Sequence, residues 1–406
     1  MGKSYDVAPL QEWSSEYFKR VKSGDMGALP GVLGLIVLCI VFGAMSEVFL
    51  TPGNFANLLT QAASVMVIAM GLIFVLLLGE IDLSAGFASG VCGAVLVILI
   101  TNHGVAWWAA LSVSILFGAL LGFAIGILVS RLGIPSFVVT LAAFLMFQGL
   151  LLLLAGEGGT IRVEDPVILS IQNSNLSPLM SWLFFAVLAV VYVITGLTKI
   201  YLRSKSGLKS ISLAIWTIKT GGVLSIFGLG VYFLNLERSN NPQLVSLKGM
   251  PYVVVVILFL LIVGTFVLNR TRYGRHLYAV GGNPEAARRA GINVKAIRTS
   301  AFVICSSFAA IAGMLFASRQ NSISPTTGGS ATLLYAVGAA VIGGTSLFGG
   351  KGKMRDAVLG GFVVAIIDNG MGLLGYAAGI KFIVTGLVLL ISSSVDALTR
   401  KKTSSG

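Results

Sequence analysis

Charge is what this sequence has least of. Asp, Glu, Lys and Arg make up 11% of its 406 residues, and only 15 side chains are acidic. A soluble domain usually carries about 25% charged residues. A chain of this size with so few charges lacks the polar surface to stay in water. That excludes both a water-soluble enzyme and a disordered protein. Histidine is nearly absent: His103 and His276 are the only two, and neither has Cys, Asp or Glu at ligand spacing. Zinc binding and histidine catalysis have no support, so no catalytic and no metal-ligating residue is assigned. The three cysteines, Cys39, Cys92 and Cys305, lie far apart in apolar runs without a CxxC pair. They give no disulfide framework and read as inert, buried thiols.

What remains is apolar. Hydrophobic residues make up 56% of the chain, the mean hydropathy is +0.93, and there are 50 glycines. Apolar segments follow in series from Gly31–Leu50 to Phe382–Leu398. Most approach the roughly 20 residues that a bilayer span requires; several, among them Ala301–Ala317 and Leu333–Leu347, are rather short for it, and abundant glycine lets such helices pack closely. The expected fold is all-α: a polytopic membrane bundle of about 12 transmembrane segments, within about 10–14. Residues 1–30 form an expected cytoplasmic segment. Within it, Leu10, Trp13, Tyr17 and Phe18 at helical spacing read as either an amphipathic surface helix or a loose tail. Residues 31–398 form the membrane domain and 399–406 a cytoplasmic tail.

The net charge of +13 and pI near 9.8 first invite a nucleic-acid reading. The distribution argues against it. With the N-terminus inside, 22 Lys and Arg fall on cytoplasmic loops and 5 on outer ones. That is the positive-inside pattern, and it places both termini in the cytoplasm. Two loops are long: the outer Gly156–Ser177, and the basic inner stretch 269–298.

Several motifs carry polar chemistry. Gly343 to Gly352 superficially resembles a phosphate-binding loop, but Lys351 is one position late and Gly352 replaces the Ser or Thr. It reads as a turn into an inner loop. Glu80, Asp82 and Ser84 sit between two apolar runs, where ionisable groups are costly. They either line a substrate path or cap the following helix. Phe144 and Gln148 lie one turn apart and suit either a sugar contact or interhelical hydrogen bonding. Asp368 and Asn369 present the same choice between cavity lining and hydrogen bonds across helices. In the basic loop, Asn283 is a favoured N-cap, Pro284 suits the first turn, and Glu285 complements the positive helix end. Ala286, Ala287, Arg288, Arg289 and Ala290 favour helix, and Gly291 can end it. The spacing predicts a short capped helix that presents cations and small residues, serving either a partner or only the loop.

The stretches Gly79–Gly86, Gly133–Leu141, Gly274–Ile292 and Ala336–Gly350 together resemble the permease subunits of bacterial ATP-binding-cassette sugar importers, in the ribose/xylose/galactoside group. The resemblance runs from about Pro52 to Val395. The region from about Leu179 to Asn240 resembles the additional pair of spans of xylose-type permeases. The resemblance implies a multi-pass protein of the bacterial cell membrane that catalyses no bond chemistry and binds no cofactor, ATP and Mg belonging to a partner ATPase. It implies a second permease chain in a homodimer, a cytoplasmic ATPase with two nucleotide-binding halves, and an extracytoplasmic sugar-binding protein. It also implies that Asn283 to Gly291 form the coupling helix that docks on the ATPase. Lipid is the surrounding partner and nucleic acid is not one. The competing readings are an ion- or proton-coupled secondary transporter of a small polar solute, and a channel. The first has support only in Glu80, Asp82 and Asp368, and no filter-like repeat supports the second.

Overall fold

The computed structural model describes residues 29–156, 158–207, 212–239 and 241–404. The segment expected to hold an amphipathic helix before residue 29 lies outside the described residues. The chain is built almost wholly from helices. They are α1 Leu29–Met45, α2 Pro52–Leu76, α3 Ala85–Thr101, α4 Trp107–Ser130 and α5 Ser136–Ala155. The strand β1 Ile161–Arg162 and α6 Pro166–Asn173 follow, then α7 Pro178–Lys205, α8 Leu213–Asn235 and α9 Tyr252–Arg270. Next come α10 Arg272–Gly282, α11 Pro284–Arg289, α12 Val294–Gln320, β2 Ser322–Ile323, α13 Ser330–Ile342, α14 Met354–Leu373 and α15 Ala378–Ser404.

Eight helices, α2, α4, α5, α7, α8, α9, α12 and α14, are long and apolar enough to cross a membrane. Four more, α1, α3, α13 and α15, contain shorter apolar stretches. Expected spans shift. The segment predicted at Leu333–Leu347 stops as helix at Ile342, because Gly343 meets the Asp356 carbonyl and Gly344 has φ +118°. The span expected from Ala301 begins at Val294, because the Asn293 side chain accepts a hydrogen bond from Ala296 N at 3.0 Å.

The chain divides into two compact units. In the larger, 27–174 and 251–397, α12 is the central helix, packed on α2, α3 and α4, while α14 packs on α2 and α13. Burial follows: 83% of the apolar window of α2 lies inside the protein, against 28% for α5. Glycine sets the close approaches. A Cβ on Gly122 would lie 2.3 Å from the Phe302 carbonyl, and one on Gly313 would lie 2.1 Å from that of Ser89. The predicted outer loop Gly156–Ser177 belongs to this unit as far as Ser174, and from Gly158 its described residues fold onto the helices. Asp165 accepts from Val167 N and Ile168 N, starting α6, and Asn173 donates to the Ser318 carbonyl at 2.8 Å. β1 pairs antiparallel with β2. The smaller described unit is the α7–α8 hairpin with the loop after it. Only 6% and 17% of the windows of α7 and α8 are buried, so most side chains of this pair are apolar and exposed.

Candidate functional site

The basic stretch 269–298, expected as a loop, is mostly helix. Thr271 turns the chain sharply after α9: its hydroxyl accepts from Gly274 N at 3.1 Å and donates to the Val267 carbonyl at 2.6 Å. The corner closes on Gly274, where a Cβ would stand 2.1 Å from the Leu268 carbonyl. α10 then buries Leu277 and Val280 and exposes Arg275 and His276. Three contacts tie it to the membrane helices. Gly281 lies against the Leu77 carbonyl, the Tyr278 hydroxyl donates to the Gly352 carbonyl at 2.7 Å, and the Tyr273 oxygen accepts from Ser300 at 3.2 Å. Burial pushes the Tyr273 phenol up to about 12, which the Ser300 hydroxyl partly offsets. Tyr273 is therefore neutral at any physiological pH.

The capped helix is present as α11. The Asn283 carboxamide accepts from Ala286 N at 2.9 Å, as an N-cap does. At the other end Gly291 has φ +82°, and Ile292 N reaches back to the Ala287 carbonyl, a Schellman-type closure. Glu285 pairs with Arg288 at 2.9 Å and Arg289 at 3.5 Å, all three well exposed. Pro284, Ala286, Ala290 and Gly291 are also exposed. Ala287 is the exception: it is buried, 4% exposed, against the chain itself. The outward surface of α11 is thus small residues and three charges, and Ala287 does not belong to it.

The seven candidate path residues fall in three places. Glu80, Asp82 and Ser84 occupy the break between α2 and α3, at the same end as α10. Glu80 forms an ion pair with Arg298 on α12 at 3.4 Å. Asp82 is wholly buried; one carboxylate oxygen accepts from Ser84 N at 2.9 Å and from the Ser84 hydroxyl at 2.6 Å. Asp82 therefore organises the helix start, while Ser84 donates to it and caps nothing with its side chain. The second Asp82 oxygen has no hydrogen-bond partner of good geometry, and Cys305 of α12 lies beside it. Cys305 is a free, buried thiol as read from the sequence, but nothing in the spacing joins positions 82 and 305. Phe144 and Gln148 are half-buried midway along α5, and the Phe144 ring meets Phe87 of α3 edge-on at 4.8 Å. Asp368 and Asn369 lie at the far end. Asp368 pairs with Lys381 at 3.6 Å, and Asn369 exchanges two hydrogen bonds, 3.0 and 2.9 Å, with Asn54 of α2.

One further element escaped the sequence reading. Between β2 and α13 the chain passes beside α3 through Ser324, Pro325, Thr326, Thr327, Gly328 and Gly329 in successive tight turns, with Thr327 N donating to the Ser324 carbonyl and Gly329 N to that of Thr326, both at 3.0 Å. A Cβ on Gly90 would lie 2.3 Å from the Thr327 carbonyl, and one on Gly86 would lie 2.5 Å from that of Gly328. α13 has only 13 residues, about 20 Å at 1.5 Å per residue, too short to cross alone. This is a broken membrane segment, and the ring of Phe87 lies 3.6 Å from the point where a Gly329 Cβ would stand. The signal was Gly328-Gly329 ahead of a short apolar run.

Among the described residues no three His, Cys, Asp or Glu side chains gather to hold a metal ion. Residues 54–393 match the family of branched-chain amino acid transport system / permease components. The xylose transport system permease protein XylH of Escherichia coli K12 is 33% identical over 387 residues, 95% of each chain. XylH of Haemophilus influenzae is 31% identical over 391 residues, 94% of this chain and 99% of that protein. The ribose import permease protein RbsC of Escherichia coli K12 is 28% identical over 368 residues, 90% of this chain and 92% of that protein. No solved structure matches the chain. A helical core with apolar helices of spanning length, matched over most of its length by this family and by full-length relatives, places the chain in the branched-chain amino acid transport system / permease component family, as a multi-pass protein of the bacterial inner membrane.

Proposed function

We propose that the chain is the membrane permease of an ATP-binding-cassette importer that carries a monosaccharide, xylose or a related sugar, into the cytoplasm. In this reading both termini are cytoplasmic, two copies form the permease, a cytoplasmic ATPase with two nucleotide-binding halves hydrolyses ATP, and an outer binding protein delivers the sugar. The permease makes and breaks no bonds and has no cofactor. It converts the movement of the ATPase into alternating access. The observation that carries the reading is the match over 95% of both chains to a xylose permease. The rigid α10–α11 pair at the basic end supports ATPase coupling through Asn283 to Gly291, with Ala287 holding the helix rather than touching the partner. The sugar path is proposed to pass Phe144 and Gln148 and the polar break at Thr326 to Ser330. There an aromatic face and hydroxyls offer the stacking and hydrogen bonds that a sugar requires. The ion-coupled alternative loses ground because two of its three carboxylates, Glu80 and Asp368, are each already paired with a cation, and only the buried Asp82 is not.

The test is uptake of labelled pentose by cells or vesicles holding the complete system. Inhibition by vanadate and indifference to protonophores are expected. Uptake that collapses with the proton gradient and ignores vanadate overturns the proposal.

A further inference from the structure

The α7–α8 hairpin carries a charge pattern that the transport reading does not use. From Ser177 to Leu236 the chain has five cations, Lys199, Arg203, Lys205, Lys209 and Lys219, and no acidic residue. α7 is 28 residues long, about 42 Å at 1.5 Å per residue, against a hydrocarbon layer of about 30 Å. Its apolar part ends near Thr198, so the last two turns, Lys199 to Lys205, emerge at headgroup depth. Lys199 and Arg203 stand one turn apart on one face, with Tyr201 and Lys205 so placed on the next. All four are exposed, and among the described residues none of the three cations has an acidic partner. Tyr201, 65% exposed, is the kind of residue that settles at a membrane interface. The hairpin is closed at this level: a Cβ on Gly196 would lie 2.6 Å from Trp216 Nε1, so the indole of α8 covers α7 one turn before Lys199.

We propose that Lys199, Arg203 and Lys205 form a binding site for the headgroup of an acidic phospholipid of the inner leaflet. Cations with no acidic partner among the described residues, at the end of an apolar helix whose side chains are mostly exposed, match a phosphodiester anion held at that depth. A soluble anion has no reason to choose this depth. An acidic protein surface is the competing occupant. The proposal rests on the topology given above, which puts this end of the hairpin in the cytoplasm.

The experiment uses the full-length permease, purified and delipidated in detergent, and counts bound lipid by native mass spectrometry during titration with POPG or POPC. Wild type retains POPG in preference to POPC. The K199Q/R203Q/K205Q variant loses the preference by up to about fivefold for each cation removed, from the attraction per basic residue near an anionic surface. K199R/K205R keeps the charge and the preference. Equal retention of the two lipids by wild type, or an undiminished preference in the glutamine variant, overturns the site. So does a glutamine variant that keeps its lipid preference but no longer co-purifies with the ATPase, because the cations then serve that protein. A Ser206→Cys label reached only from the cytoplasm shows that such a failure belongs to the lipid site alone. A label reached from outside overturns the topology, and this proposal with it.

Discussion

Gly281 and Gly282 are neighbours at the end of α10, yet substitution by alanine should have opposite consequences. A Cβ on Gly281 would lie 1.8 Å from the Leu77 carbonyl oxygen and 3.0 Å from Gly350 N. Ordinary contact needs about 3.4 Å, so one backbone must retreat by roughly 1.5 Å. That carbonyl accepts from Gly350 N at 2.8 Å, and the Tyr278 hydrogen bond to Gly352 sits one turn away. Overpacking costs about 1–3 kcal/mol, and a lost hydrogen bond adds about 1 kcal/mol. Gly281→Ala should therefore lose about 2–4 kcal/mol and, for a chain of 406 residues, lower the melting temperature by roughly 2–5 °C. At Gly282 a Cβ would meet nothing within 4 Å, and the φ of this residue is not positive. Gly282→Ala should be neutral or gain up to about 0.5–1 kcal/mol from helix propensity. The assay is fluorescence-detected thermal stability of tagged permease in detergent, with ATPase co-purification measured beside it. A Gly281→Ala protein as stable as wild type, or a Gly282→Ala protein that falls as far, refutes the docking of α10 on the end of α2.

Three further outcomes are expected. Ala290→Trp and Glu285→Arg should leave the permease folded and weaken retention of the ATPase, whereas Ala287→Trp should destabilise the permease itself; equal stability of the Ala287 and Ala290 variants contradicts the orientation of α11. Asn369→Leu leaves the buried Asn54 amide short of a partner and should cost about 1–3 kcal/mol, while the double variant Asn54→Leu with Asn369→Leu should recover part of it; strictly additive losses in melting temperature count against the pair. In the loop after α8, the Leu247 and Ser239 amides and the Ser246 hydroxyl hold the Glu237 carboxyl down to about 2. A depressed carboxylate stabilises above its unfolded value and loses that contribution as pH falls through the folded one. At pH 3 wild type should thus resist pepsin at Leu244 and Leu247 better than Glu237→Gln, and equal cutting rates refute this.

Much of the architecture was legible because the membrane imposes a simple rule. Backbone must be satisfied within each segment, so apolar length alone finds helices such as α2, α4 and α9. The α11 caps were legible for a local reason: Asn283 and Gly291 act on backbone groups within four residues. What escaped depends on separation along the chain. Glu80 meets Arg298, Asn54 meets Asn369 and Asp82 meets Cys305 across more than two hundred residues, and neither composition nor spacing encodes such meetings. The broken segment before α13 escaped because no local signal tells that its turns pack against Gly86 and Gly90 alongside α3.

These long-range contacts also decide how a push on α11 would travel. α11 is short and bears outward charge, so by itself it is a handle. α10 makes it a lever, because its contacts with Leu77 and Gly352 are made largely to backbone, which yields less readily than a side chain rotamer. Leu77 opens the break that holds Glu80 and Asp82. Gly350 and Gly352 belong to the turn before α14, where Asp356 accepts from Lys353 N at 2.8 Å and from Thr345 at 3.2 Å. On the importer reading, movement of α11 would therefore be delivered to the ends of α2 and α14 together. Those two helices also meet at their far ends through Asn54 and Asn369, so on the importer reading they respond as one body. On that reading the cation-paired Glu80 and Asp368 would keep the joint rigid, and the proposed sugar path would run by the half-buried residues of α5 and the turns beside α3.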